Sequence, residues 1–139
     1  MKTKVSKNTK QNAVENLLTV IIDSILDKKG ENVISLNLVG LDDAMTDYMI
    51  ICEGNSSRQV KAIAENIEFK AKSILNERAT FKEGYATVEW VLLDYIDVMV
   101  HVFQKDKREF YKLEQLWGDA AIITKHLPNE VDLTGAKKM

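Results

Sequence analysis

The sequence predicts one α/β (α+β) domain, and three observations carry that expectation. Two long stretches repeat apolar residues every three or four positions, the period of a helix with one buried face. Shorter stretches rich in Val, Ile and aromatic residues alternate or run unbroken, as strands do. The 139 residues suffice for one ordinary core, and neither an internal repeat nor a low-complexity linker divides them.

From about Thr9 to Asp27, residues Ala13, Val14, Leu17, Leu18, Ile21, Ile22 and Ile25 form a wide apolar stripe on a helix. Lys28 and Lys29 lie near the negative end of its dipole, and Gly30 is expected to take the left-handed cap. In the next run, Val33 to Leu38, Ile34, Leu36 and Leu38 alternate with Ser35 and Asn37, as in a strand buried on one side. After the turn-like LDDAMTD, the apolar YMIIC of Tyr48 to Cys52 reads as a more deeply buried strand.

Glu53 to Ser57 break the chain before a second helix, which carries Val60, Ile63, Ala64, Ile67, Ala71, Ile74 and Leu75 on one face and ends near Asn76. Ser56 and Gln59 have the spacing of a capping box. A strand, a glycine turn and a helix N-terminus also describe a phosphate site, with Arg58 and Lys61 nearby. GNSSR has one glycine where a P-loop needs two and a following Lys, so the cap is the favoured reading.

Gly84 separates this helix region from Tyr85 to Val88, a lead-in to the stretch around which the chain is organised. Trp90 to Phe103, WVLLDYIDVMVHVF, reads as two strands meeting at a tight turn near Tyr95 and Ile96. With Asp94 facing Asp97, Leu93 faces Val98 and Val91 faces Val100. Val91, Leu93, Val98, Val100 and Val102 then share one aliphatic face, which must be core. The opposite face carries Trp90, Leu92, Asp94, Asp97, Met99, His101 and Phe103. It could simply pack under a helix, but large apolar groups edged by carboxylates are better suited to docking a partner.

Beyond the hairpin, Asp106 to Trp117 reads as a short helix with Phe110, Leu113, Leu116 and Trp117 on one side and Gly118 as its stop. Residues 1–9 are expected to be a basic flexible tail, 10–118 the domain and 119–139 a peripheral tail. The net charge of −2 argues against bulk attachment to nucleic acid, and no direct nucleic-acid recognition is expected. A lone cysteine, Cys52, and the lack of a bilayer-length apolar run or secretion-type leader lead to the expectation of a soluble cytoplasmic protein without membrane attachment.

Three blocks, DYMIICEGNSSRQVKAIAENI from Asp47, EWVLLDYIDVMVHVF from Glu89 and REFYKLEQLWGDA from Arg108, resemble the ribosomal silencing factor family, also called Iojap-related. The resemblance implies a mixed β-sheet flanked by helices, similar to the nucleotidyltransferase fold, and a homodimer. It also implies binding to the large ribosomal subunit through its ribosomal protein fourteen. Such binding would block joining of the small subunit and repress translation when nutrients are short. Trp90, Leu92, Asp94, Asp97, Met99 and His101 then become candidate partner contacts, joined by Arg108 and Tyr111. Trp90 and Met99 would supply the apolar anchor, and Asp94 and Asp97 would pair with basic groups of the partner. The sequence departs from the family at Ile96, where glycine is usual, which disfavours a two-residue primed turn.

The competing reading is a working nucleotidyltransferase-fold enzyme that binds a nucleotide at the Gly54 to Arg58 turn. Two-metal chemistry needs carboxylates converging on ions about 4 Å apart. Asp42 with Asp43, and Asp94 with Asp97, do not follow the glycine turn as such a site requires. His101 and His126 lack partners at metal-ligand spacing, and Cys52 has no base beside it. A non-enzymatic protein with no cofactor is expected.

Overall fold

The computed structural model describes residues 7–111 and 122–128. In chain order the elements are α1 (Lys7–Asp27), β1 (Glu31–Asn37), β2 (Tyr48–Gly54), α2 (Ser57–Leu75), β3 (Phe81–Glu83), β4 (Trp90–Asp94), β5 (Val98–Gln104), α3 (Lys105–Tyr111) and β6 (Ile122–His126). The strands form one mixed sheet in the order β3-β4-β5-β2-β1-β6. Its central pair, β2 with β5, is parallel, whereas the other neighbours run antiparallel. This is a single α+β domain, as the alternation of periods predicts.

Alternation across the sheet decides which layer each residue joins. Val33, Ile50, Cys52, Val91, Leu93, Val98, Val100 and Val102 face α1 and α2, whose stripes of Val14, Leu17, Ile21, Ile25, Val60, Ile63, Ala64, Ile67 and Ala71 complete the main core. The valine face of the hairpin is thus core, as expected. On the other face Ile34, Leu36, Leu38, Met49, Ile51 and Phe103 form a second cluster, with Leu41, Ala44 and Trp90 packed against it. Both long helices therefore lie on the valine side, and the mixed side of the hairpin looks away from them.

Several local expectations change. The left-handed residue ending α1 is Lys29 (φ 65°), not Gly30. The Gly30 amide reaches back to the Ile25 carbonyl at 2.9 Å, and a Cβ on Gly30 would lie 2.4 Å from the Ile25 side chain. Gly30 is there for close packing, and Lys29 bears the backbone strain. A strand not assigned from the sequence, Phe81–Glu83, precedes the hairpin, and the lead-in Tyr85 to Val88 forms a turn closed by the Val88 amide on the Gly84 carbonyl. Gly84 has φ +97°, and a Cβ there would meet the Trp90 carbonyl oxygen at 2.0 Å, so only glycine fits.

At the amino end, α1 starts at Lys7, within the stretch expected to be a basic tail. At the other end, within the stretch expected to be a peripheral tail, Ile122–His126 is an edge strand that pairs with β1, Asn37 opposite Ile122 and Val33 opposite His126. Leu113, Leu116, Trp117 and Gly118 lie outside the described residues.

Candidate functional site

The β4–β5 hairpin builds the candidate face, but in a register two residues away from the expected one. Asp94 lies opposite Met99, Leu93 opposite Val100, Leu92 opposite His101 and Trp90 opposite Phe103. Asp94 does not face Asp97. Because side chains alternate with period two, a shift of two leaves every residue on its expected face.

The turn explains the shift. The Tyr95 amide bonds to the Val98 carbonyl at 2.8 Å, and the Asp97 amide bonds to the Tyr95 carbonyl at 2.9 Å across Ile96, whose φ is +77°. This is a three-residue γ-turn in its strained form, held by a β-branched residue. Two side chains pin it. Asp94 Oδ1 accepts the Ile96 amide at 2.7 Å, and Thr46 Oγ1 donates to the Ile96 carbonyl at 3.0 Å. Asp94 is thus a turn former as well as a carboxylate at the edge of the face. Thr46 escaped sequence reasoning because its partner lies fifty positions away.

On the face itself Trp90, Leu92, Asp94, Asp97 and Met99 are half-buried, while His101 and Phe103 are buried. Trp90 stacks on Phe103 with ring centroids 4.9 Å apart and leans toward His101 at 5.7 Å. Its indole Nε1 donates to His101 Nδ1 at 3.0 Å. An acceptor at Nδ1 requires a neutral ring, and burial favours one by pushing the His101 pKa down to about 4. The remaining ring proton then sits on Nε2, which is buried and has no hydrogen-bond partner among the described residues.

Arg108 belongs to a different cluster. Its Nη1 lies 3.3 Å from Glu53 Oε1 and also donates to the Asn32 carbonyl, while Asn32 Nδ2 donates to Glu53 Oε2 at 2.9 Å. Both charged side chains are nearly buried, so the trio ties α3 to β1 and β2. Glu53 lies beside Phe103 in the β2–β5 register, whereas Tyr48 lies beside Val98 at the turn end. Arg108 therefore stands at the Phe103 end of the face and Asp97 at the other, about 20 Å along β5. Tyr111 closes α3, and its side chain lies outside the described residues. The structure thus brings Trp90, Leu92, Met99 and His101 together, places Asp94 and Asp97 at one end, and engages Arg108 in packing.

The glycine turn before α2 is occupied by its own cap. Ser56 Oγ accepts the Gln59 amide at 3.1 Å, and Gln59 Oε1 accepts the Asn55 amide at 2.7 Å. Gln59 Nε2 donates onward to the carbonyls of Lys28 and Lys29 at 3.1 and 3.0 Å, joining the end of α1 to the start of α2. Two amides that a phosphate would need already have acceptors inside the chain. Cys52 is fully buried, and burial pushes its thiol up to about 12, which suits packing and not nucleophilic chemistry. Among the described residues no cluster of three or more His, Cys, Asp or Glu could hold a metal ion. No described helix is long and apolar enough to cross a membrane.

A family model described as "Ribosomal silencing factor during starvation" matches residues 10–139. The ribosomal silencing factor of Halalkalibacterium halodurans is 43% identical over 109 residues, covering 78% of this chain and 92% of that protein. Its Bacillus subtilis counterpart is 40% identical over 108 residues, covering 78% and 90%. A crystal structure of a Chromobacterium violaceum protein matches with a TM-score of 0.70 at 36% identity, over 75% of this chain and 85% of that one. Relatives so named are regulators associated with the ribosome and not enzymes, and this chain belongs to the ribosomal silencing factor family.

Proposed function

We propose that the Trp90 face of the β4–β5 hairpin, on the side of the sheet opposite α1 and α2, docks onto ribosomal protein fourteen of the large subunit, and that the bound protein blocks joining of the small subunit. Translation then falls when nutrients are short. The observation that carries this reading is the placement of Trp90, Leu92 and Met99, half-exposed on the side of the sheet turned away from α1 and α2. Half-exposed aromatic and aliphatic groups on a rigid strand pair suit an interface anchor. Asp94 and Asp97 at its edge offer carboxylates to basic groups of a ribosomal protein. His101 lies behind this anchor, and Arg108 of α3 stands at its Phe103 end; Tyr111 is carried as a contact on the family resemblance alone. Family resemblance is what supports a homodimer and a cytoplasmic setting.

The test is co-sedimentation with purified large subunits. Trp90→Ala is expected to weaken binding by at least about thirtyfold, the cost of truncating a central aromatic anchor. Asp94→Asn, which keeps the oxygen that accepts the Ile96 amide, combined with Asp97→Asn should slow association and flatten its salt dependence. If Trp90→Ala binds subunits normally but no longer self-associates, the face is a dimer interface and the docking reading falls.

A further inference from the structure

We propose that His101 is a positioning residue for Trp90: it fixes the indole from behind and satisfies its N–H, so that an apolar surface is presented to the partner. The consequence for binding rests on the docking reading above, whereas the geometry does not. Trp90 Nε1 donates to His101 Nδ1 at 3.0 Å, and Phe103 forms the floor of the stack, 4.9 Å from Trp90 and 6.2 Å from His101. His101 is itself 6% exposed, so it is poorly placed to touch a partner directly.

Two physical demands make this arrangement useful. An indole that docks into an apolar pocket takes its N–H out of water, and a donor stranded there is costly. With His101 accepting from inside the protein, docking strands nothing. An indole free to change rotamer would also lose that freedom on binding, whereas a fixed one has already lost it during folding. His101 serves because burial keeps it neutral; an imidazolium has no acceptor to offer.

A second observation points the same way. His101 Nε2 is a buried donor without a partner among the described residues, an arrangement that is costly for folding. Phe would fill the same space without bringing a polar atom of its own into it. A histidine kept there despite the orphaned proton is accounted for by what its other nitrogen does, which is to hold Trp90.

The experiment uses the full chain with Trp117→Phe, which leaves Trp90 as the sole tryptophan. Time-resolved fluorescence anisotropy then reports indole mobility, and co-sedimentation with large subunits reports binding. His101→Phe keeps the ring but not the acceptor. It should add a fast component to the Trp90 decay and weaken binding roughly three- to tenfold, the range expected for one lost hydrogen bond. His101→Asn, whose side-chain oxygen can stand where Nδ1 stood, should restore both. In a Trp90→Phe background, His101→Phe should weaken binding no further. An unchanged anisotropy decay in His101→Phe overturns the proposal, as does a binding loss that persists without Trp90. If even the parent protein fails to bind large subunits, the docking reading falls, and the anisotropy of the His101 variants alone decides the positioning role.

Discussion

At the scale of single residues, two groups carry costs that can be measured. Ile96 holds φ +77° at an exposed turn, a conformation that costs a β-branched residue on the order of 1–3 kcal/mol. Glycine would relieve this strain but lose about 0.5–1 kcal/mol through its greater freedom when unfolded. Ile96→Gly is therefore expected to stabilise the protein by about 1 kcal/mol, read as a higher midpoint in urea with an unchanged slope; no gain would mean that the turn is not strained. His101 gives a pH dependence. Its folded pKa, about 4, lies below the ordinary 6.5, so the unfolded chain takes up the proton first as pH falls. Stability from this group is complete above pH 6.5 and is lost progressively toward pH 4. Burial also lowers the pKa of His126, which adds a pH dependence of the same sign, so the comparison must be between proteins that differ only at position 101. Between pH 7 and 4.5 the wild type should lose roughly 2 kcal/mol more than His101→Asn in urea titrations.

At the scale of elements, the link between α1 and α2 separates what a motif predicts from what the structure requires. A capping box accepts Glu as readily as Gln at its third position. Here Gln59 also gives two protons to the carbonyls of Lys28 and Lys29, which a carboxylate cannot do. Gln59→Glu gains up to about 1 kcal/mol from the helix dipole but forfeits two hydrogen bonds of about 1 kcal/mol each. The expected net loss is about 1 kcal/mol by chemical denaturation, and equal stability would show that the bridge contributes nothing. The hairpin teaches the same lesson. Its two faces were legible in the sequence because a period of two survives any even shift. Its register was not, because no turn rule assigns a left-handed γ-turn to Ile96, and the Thr46 that pins it is remote in sequence. Strand β6 was hidden for a related reason: Ile122 to His126 is mostly exposed, and only its pairing with β1 across the chain makes it a strand.

At the scale of the whole molecule, both long helices lie on the valine side of one sheet, so the Trp90 side is the one opposite α1 and α2. That asymmetry was half legible. The aliphatic face demanded a cover, and the two amphipathic helices were there to provide it. Where Arg108 would go was not legible, since its partner Glu53 is buried at the end of β2 and reads in sequence as part of a loop. The central claim is that occupation of the large subunit by the Trp90 face prevents subunit joining. Light scattering of purified large and small subunits tests it most directly, with saturating protein bound to the large subunit before mixing. The account predicts that the wild type suppresses the rise in scattering and that Trp90→Ala, folded to the same extent, lets it proceed. A normal rise with wild type bound, or an equal block by Trp90→Ala, would contradict it.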